Sequence, residues 1–120
     1  MSDRMAALSR LVVGDIFHAE CPGGASLICL VEAVTDDRIK TRRVTTQDRV
    51  EFDRRTGHTI GDEVSCTIDS IAPLPVDIHN VMLGLDRKMR LTIDPEKYKL
   101  NREEIQAMYF VNSFYPSNRL

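Results

Sequence analysis

Seven basic side chains, Arg38, Lys40, Arg42, Arg43, Arg49, Arg54 and Arg55, fall within eighteen consecutive residues. Six of them are arginines, whose planar guanidinium fork donates two parallel hydrogen bonds and fits a phosphate or carboxylate. Thr41, Thr45, Thr46 and Thr56 add hydroxyls of the kind that make neutral phosphate contacts. Asp48, Glu51 and Asp53 offset three of the cations and leave a local excess of four. The chemistry this stretch suggests is contact with an anion, without bond-making. The competing reading is a solvated charged face on which Arg38, Arg49 and Arg54 pair weakly with Asp36, Asp48 and Asp53. Phe52 is the one aromatic residue in the stretch, so a platform for stacking bases is missing.

Other reactive residues are fewer. His18 and Cys21 have His-x-x-Cys spacing, but a structural zinc site needs four ligands, usually in close pairs, and no second close pair follows. No metal and no cofactor is therefore expected. Cys21 with His18 or His58, oriented by Asp15 or Asp62, is the one triad-like set, and no nucleophile elbow, phosphate loop or dinucleotide fingerprint accompanies it. A catalytic role is not expected. The three cysteines, Cys21, Cys29 and Cys66, are an odd number, and MSDRMAALSR at the start lacks the apolar core of a secretory signal. These features predict reduced thiols in a cytoplasmic protein. Cys29 and Cys66 read as small core residues, and the Cys21-Pro22-Gly23-Gly24 turn leaves the Cys21 thiol exposed.

The chain has 120 residues, a formal net charge of −2 and 42% hydrophobic residues, enough for one domain with a core of its own. Its apolar runs are too short to span a bilayer, so no membrane partner is expected. The charge is unevenly spread: −2 over residues 1–35, +2 over 36–55, −3 over 56–75 and +1 over 76–120. A globally basic protein is excluded, whereas a local basic surface is not.

Short, turn-punctuated segments must position these residues. Residues 1–10 read as a frayed helical turn or loose arm. Strands are expected at Asp15 to Glu20, Ala25 to Thr35, Ile39 to Thr46, Arg49 to Asp53 and Val64 to Asp69. Ala25 to Thr35 is apolar on both faces, which predicts a central strand covered on two sides. Asp53 to Gly57 reads as a loop tip with Gly57 free to take positive φ, and residues 57–61 as a hairpin connection. Pro73 and Pro75 end the strands. Ile78, Val81, Met82, Leu85 and Met89 then trace one helical stripe, and Asp94-Pro95-Glu96 opens a short turn. Asn101 with Glu104 forms a capping box for a last helix closed by Pro116, and residues 117–120 read as a mobile tail.

The expected fold is α+β in a single domain, 1–120. A β region over about 11–75 is followed by two or three C-terminal helices, over 76–116, packed on it. In strand number and spacing the β region resembles small SH3-like barrels, five strands with short hairpins and a proline-marked exit. The helices carry more apolar surface than one seam needs, and Met82, Met89, Phe110 and Tyr115 are candidates for an interaction surface. The leading expectation is a small non-enzymatic binding module that contacts nucleic acid or another polyanion through residues 38–55. The alternative is a protein–protein or homo-oligomeric assembly module using the helices. A small enzyme with Cys21 as nucleophile comes third.

Overall fold

The computed structural model describes residues 3–61, 65–70 and 74–114. A short helix, α1 (Asp3–Ser9), precedes four strands: β1 (Ile16–Glu20), β2 (Ser26–Val34), β3 (Arg38–Arg43) and β4 (Arg49–Asp53). Then come β5 (Thr67–Ser70), α2 (Val76–Leu91) and α3 (Arg102–Tyr109). All pairings are antiparallel, in the order β4-β3-β2-β1-β5.

The double-faced β2 explains the layering. Its odd residues Cys29 and Val31 enter one core with Phe17, Ala19, Ile39, Val50, Phe52 and Ile68. Its even residues Ile28 and Leu30 enter a second core with Ile16, Val44, Met82, Leu85, Met89, Ala107 and Val111. One core lies inside the curl of the sheet and the other between its outer face and the helices. The curl follows from one contact. The rings of Phe17 on β1 and Phe52 on β4 stand 5.2 Å apart in a T-shape. In a flat sheet, strands three places apart would be about 14 Å from each other. The bridges Phe52↔Thr59 and His58↔Thr67 continue the curl from β4 towards β5, so residues 58–59 are a rung and not only a connection. Gly57, at φ 78, makes the turn into that rung, as its position at the loop tip suggested.

Several boundaries differ from those read in the sequence. β3 stops at Arg43, because Gln47 takes φ 66 and its amide donates to the carbonyl of Val44, folding Val44 to Thr46 into a turn. β5 begins at Thr67, with Cys66 bonded instead to Thr59, and Val64 lies outside the described residues. Residues 3–11 form no loose arm: Leu8 at the end of α1 is fully buried in the inner core, and Leu11 joins it. At the other end, α3 carries the expected capping box, Asn101 accepting from the Glu104 amide and Glu104 accepting from that of Asn101. It runs on into a π-helical turn, Phe110–Phe114. The tail 117–120 lies outside the described residues. Among the described residues, no helix is long and apolar enough to cross a membrane.

The largest departure concerns the cysteines. Cys21 and Cys66 are joined in a disulfide, and Cys29 alone is free, buried in the inner core. Burial pushes the Cys29 thiol up to about 12, against the smaller opposing effects of a hydrogen bond with Thr41 and the charge of Arg43. The expectation of three reduced thiols is overturned, and the argument for a cytoplasmic setting goes with it. An odd count conceals one pair, and Cys21 meets Cys66 because both lie just beyond the Glu20↔Thr67 rung of the β1–β5 ladder. The bond closes a loop with a sequence separation of 45, worth about 4 kcal/mol by the chain-entropy argument. Reduction should therefore lower the unfolding free energy by about 2–4 kcal/mol in urea titrations. Cys21→Ser should show the same loss and no further response to reductant; equal stability in both redox states would refute the clasp.

Candidate functional site

Strand parity places four of the seven basic candidates together. On β3 Ile39 and Thr41 turn inward, so Arg38, Lys40 and Arg42 project from the outer face. On β4 Val50 and Phe52 turn inward and leave Arg49, Glu51 and Asp53 outside. The register sets Arg38 opposite Asp53, Lys40 opposite Glu51 and Arg42 opposite Arg49. Arg38 reaches diagonally to Glu51 at 3.1 Å. The Arg42/Arg49 rung opposes like charges, which is unfavourable unless an anion lies between. Glu32 supplies it. The β2–β3 register skips Glu32, a bulged residue, and its carboxylate lies 3.5 Å from Arg42 and 3.7 Å from Arg49.

Arg42 has a second and tighter partner. Its Nε and Nη2 donate to the two carboxylate oxygens of Asp86 on α2 at 2.9 and 2.7 Å. The Gln47 amide donates to the same carboxylate at 2.9 Å, and Arg90, one turn along α2, lies 3.4 Å from it. Asp86 is buried, with 2% of its surface exposed. Burial opposes its ionisation, but hydrogen bonds from Arg42 and Gln47 and the charges of Arg42 and Arg90 outweigh that and hold the carboxyl below its ordinary value. The same hydrogen bond to Asp86 raises the pKa of Arg42.

The remaining candidates lie elsewhere. Arg43 points to the inner side near Asp48, at 3.8 Å. Arg54 donates to the carbonyls of Thr35 and Ser9 at 2.9 and 2.8 Å, tying the end of α1 to the β2–β3 turn. Arg55 is exposed in the β4 turn, where its amide is fixed by Asp53. The expected pairings of Arg38, Arg49 and Arg54 with neighbouring aspartates give way to Glu51, Glu32 and backbone carbonyls; for Arg38 the partner is a diagonal cross-strand neighbour. Thr41 is buried and donates to the Val50 carbonyl, so it offers nothing to a phosphate.

Other candidates are corrected in the same way. Met82 and Met89 are 0% and 3% exposed in the outer core, because the stripe that carries them is the one α2 lays on the sheet. Phe110 packs half-buried on that core, and Tyr115 lies outside the described residues. Among the described residues, the large exposed apolar side chains of the helical part are instead Val76, Leu91, Ile93, Ile105 and Tyr109. The triad-like set does not assemble. The Cys21 sulfur is in the disulfide, Asp15 accepts from the Val12 amide, and His58 Nδ1 lies 2.9 Å from the Thr67 hydroxyl. His18 faces Asp69 at 3.4 Å, and Asp62 lies outside the described residues.

Comparison with known proteins finds no family model, no curated protein and no solved structure that matches this chain. The site therefore has to be read from its own geometry. That geometry adds Glu32, Gln47, Asp86 and Arg90, none of which the local charge count could single out. Only helical phase, which sets Asp86 beside the apolar stripe, hinted that α2 turned a carboxylate towards the sheet.

The Asp86 contacts predict a specific acid response. A carboxyl whose folded pKa is depressed contributes stability that is fully present above its unfolded value, near the ordinary 3.8, and is lost as pH falls through the folded one. Asp86→Asn should cost roughly 2–4 kcal/mol at neutral pH, less than a wholly buried pair because Arg42 keeps solvent contact. The gap between the two proteins should narrow as denaturant unfolding is repeated from about pH 4 downward. A gap that stays constant through that range would show that Asp86 ionisation does not stabilise the fold.

Proposed function

We propose that the chain is a small SH3-like-barrel binding module that contacts nucleic acid or another polyanion through the outer face of β3 and β4. The observation that carries this reading is the Arg42/Arg49 rung. Two arginines oppose each other across the ladder, and Glu32 occupies the gap as a phosphate would. Arg49 leaves 84% of its side chain in solvent, and Lys40 is exposed beside it. Arg42 fixes the geometry and is held by Asp86, while Arg49, Lys40 and Arg38 are the groups a phosphate could reach. The strand order, with β5 returning to pair β1 beside a four-strand meander, supports the SH3-like reading. With Met82 and Met89 in the core, a protein contact through the helices would draw on exposed apolar residues such as Ile105 and Tyr109, one turn apart on α3.

Phosphate contacts release counterions, so affinity for a duplex oligonucleotide should fall steeply with salt. Lys40→Ala with Arg49→Ala should flatten the log–log salt slope by about 2, and neither change touches the Asp86 contacts. Fluorescence anisotropy across a salt series measures both. The reading fails if no binding is seen at low salt, or if the double variant keeps the full slope.

A further inference from the structure

We propose that His18, Glu20 and Asp69 form a binding site for one divalent transition-metal cation of zinc's class. The site lies on the β1–β5 side of the sheet, separated by β2 from the basic face, and owes nothing to the reading of that face. Each of the three residues offers a ligand atom, and these atoms all lie within 4.8 Å of one another. His18 and Glu20 alternate onto the same side of β1. Asp69 joins them because the β1–β5 register passes from Ile68 to Ser70 against consecutive residues of β1. Asp69 is thus the extra residue of a bulge, and bulges re-aim side chains.

The His18–Asp69 spacing suits a shared ion. His18 Nδ1 and Asp69 Oδ2 are 3.4 Å apart. A well-formed N–H···O bond is about 2.7–3.2 Å. The edge of a tetrahedron with metal–ligand bonds of about 2.1 Å is about 3.4 Å. Depth is graded to match. His18 is 2% exposed, the Asp69 side chain 14%, and Glu20 stands exposed at the mouth. Two ligands are therefore anchored and the third is open to solvent. Three protein ligands leave the fourth tetrahedral position for water. One imidazole and two carboxylates form a mixed N/O set that favours zinc, cobalt or manganese over soft, thiolate-seeking ions. The Cys21–Cys66 disulfide, one residue beyond Glu20, fixes the two strands against each other. The sequence showed His18 only beside Cys21; the two carboxylates lie on either side of a chain reversal of more than forty residues.

The test uses the full chain with its disulfide intact. Zinc is titrated calorimetrically, and cobalt is followed by its visible d–d absorption. One saturating equivalent is expected. Even the loss of a group that only supports a metal ligand costs affinity about 10–100-fold. Glu20→Gln and Asp69→Asn should therefore each weaken binding by at least about tenfold. Glu20 is exposed, so Glu20→Gln leaves the fold intact, and circular dichroism checks this for both variants. No saturable binding of either ion, or binding that both folded variants retain at full affinity, would overturn the proposal.

Discussion

The buried carboxylate of Asp86 is the contact on which the arrangement of helices and sheet depends. A carboxylate in a helix–sheet seam is tolerated only when its oxygens are satisfied by donors of fixed geometry. The Arg42 fork supplies two and the Gln47 amide a third. Helix α2 thus cannot rotate or slide without stranding a charge, whereas the apolar contacts of Met82, Leu85 and Met89 alone would accept several phases. The requirement also explains the backbone of Gln47. A non-glycine residue at φ 66 is strained, and here its side chain bonds both Asp86 and the Val44 carbonyl. The strain ends β3, turns the chain into β4 and sets the Arg42/Arg49 rung.

Glu104 does for α3 what Asp86 does for α2. It is equally buried and accepts from the amide of Asn101, from Lys88 on α2 at 3.0 Å and from the Tyr98 hydroxyl. Burial works against its ionisation, and the Asn101 amide with Lys88 and Tyr98 holds the carboxyl below its ordinary value all the same. The capping box therefore begins α3 and also fastens it to α2. Around the inner core, Arg54 plays a comparable part for α1 through two backbone carbonyls. Three cations that composition alone would assign to a surface patch or a helix end (Arg42, Arg54 and Lys88) thus join secondary-structure elements.

What was legible in the sequence is what short spacing determines. Apolar residues on both sides of β2 implied two cores, and two cores are found. Asn101 and Glu104, three residues apart, gave a helix start with its hydrogen bonds. Strand alternation alone sets Lys40 and Arg42 on one face of β3 and Arg43 on the other. Long-range partners were not legible in this way. Asp86 is 44 residues from Arg42, and Cys66 is 45 from Cys21. Parity names a face and leaves the occupant of the opposite surface open. The arginine cluster accordingly read as one surface, although two of its members are structural. The odd cysteine count read as an absence of disulfides, although it concealed one.

The two bulges explain why one carboxylate at each candidate site escaped strand-by-strand reading. Regular alternation assigns Glu32 and Asp69 to faces without saying what they approach. An extra residue in β2 carries Glu32 to Arg42 and Arg49; an extra residue in β5 carries Asp69 to His18. Each bulge aims one carboxylate at a group that attracts it, at the cost of a ladder hydrogen bond. The strand order sets the cations of β3 and β4 across the sheet from His18, Glu20 and Asp69 on β1 and β5. Cations gather on β3 and β4, acidic groups and a histidine on β1 and β5, and the helix-covered side of β2 keeps them apart. An anion on one side and a cation on the other would each find its own field, because the apolar seam of Ile28 and Leu30 against α2 and α3 admits neither.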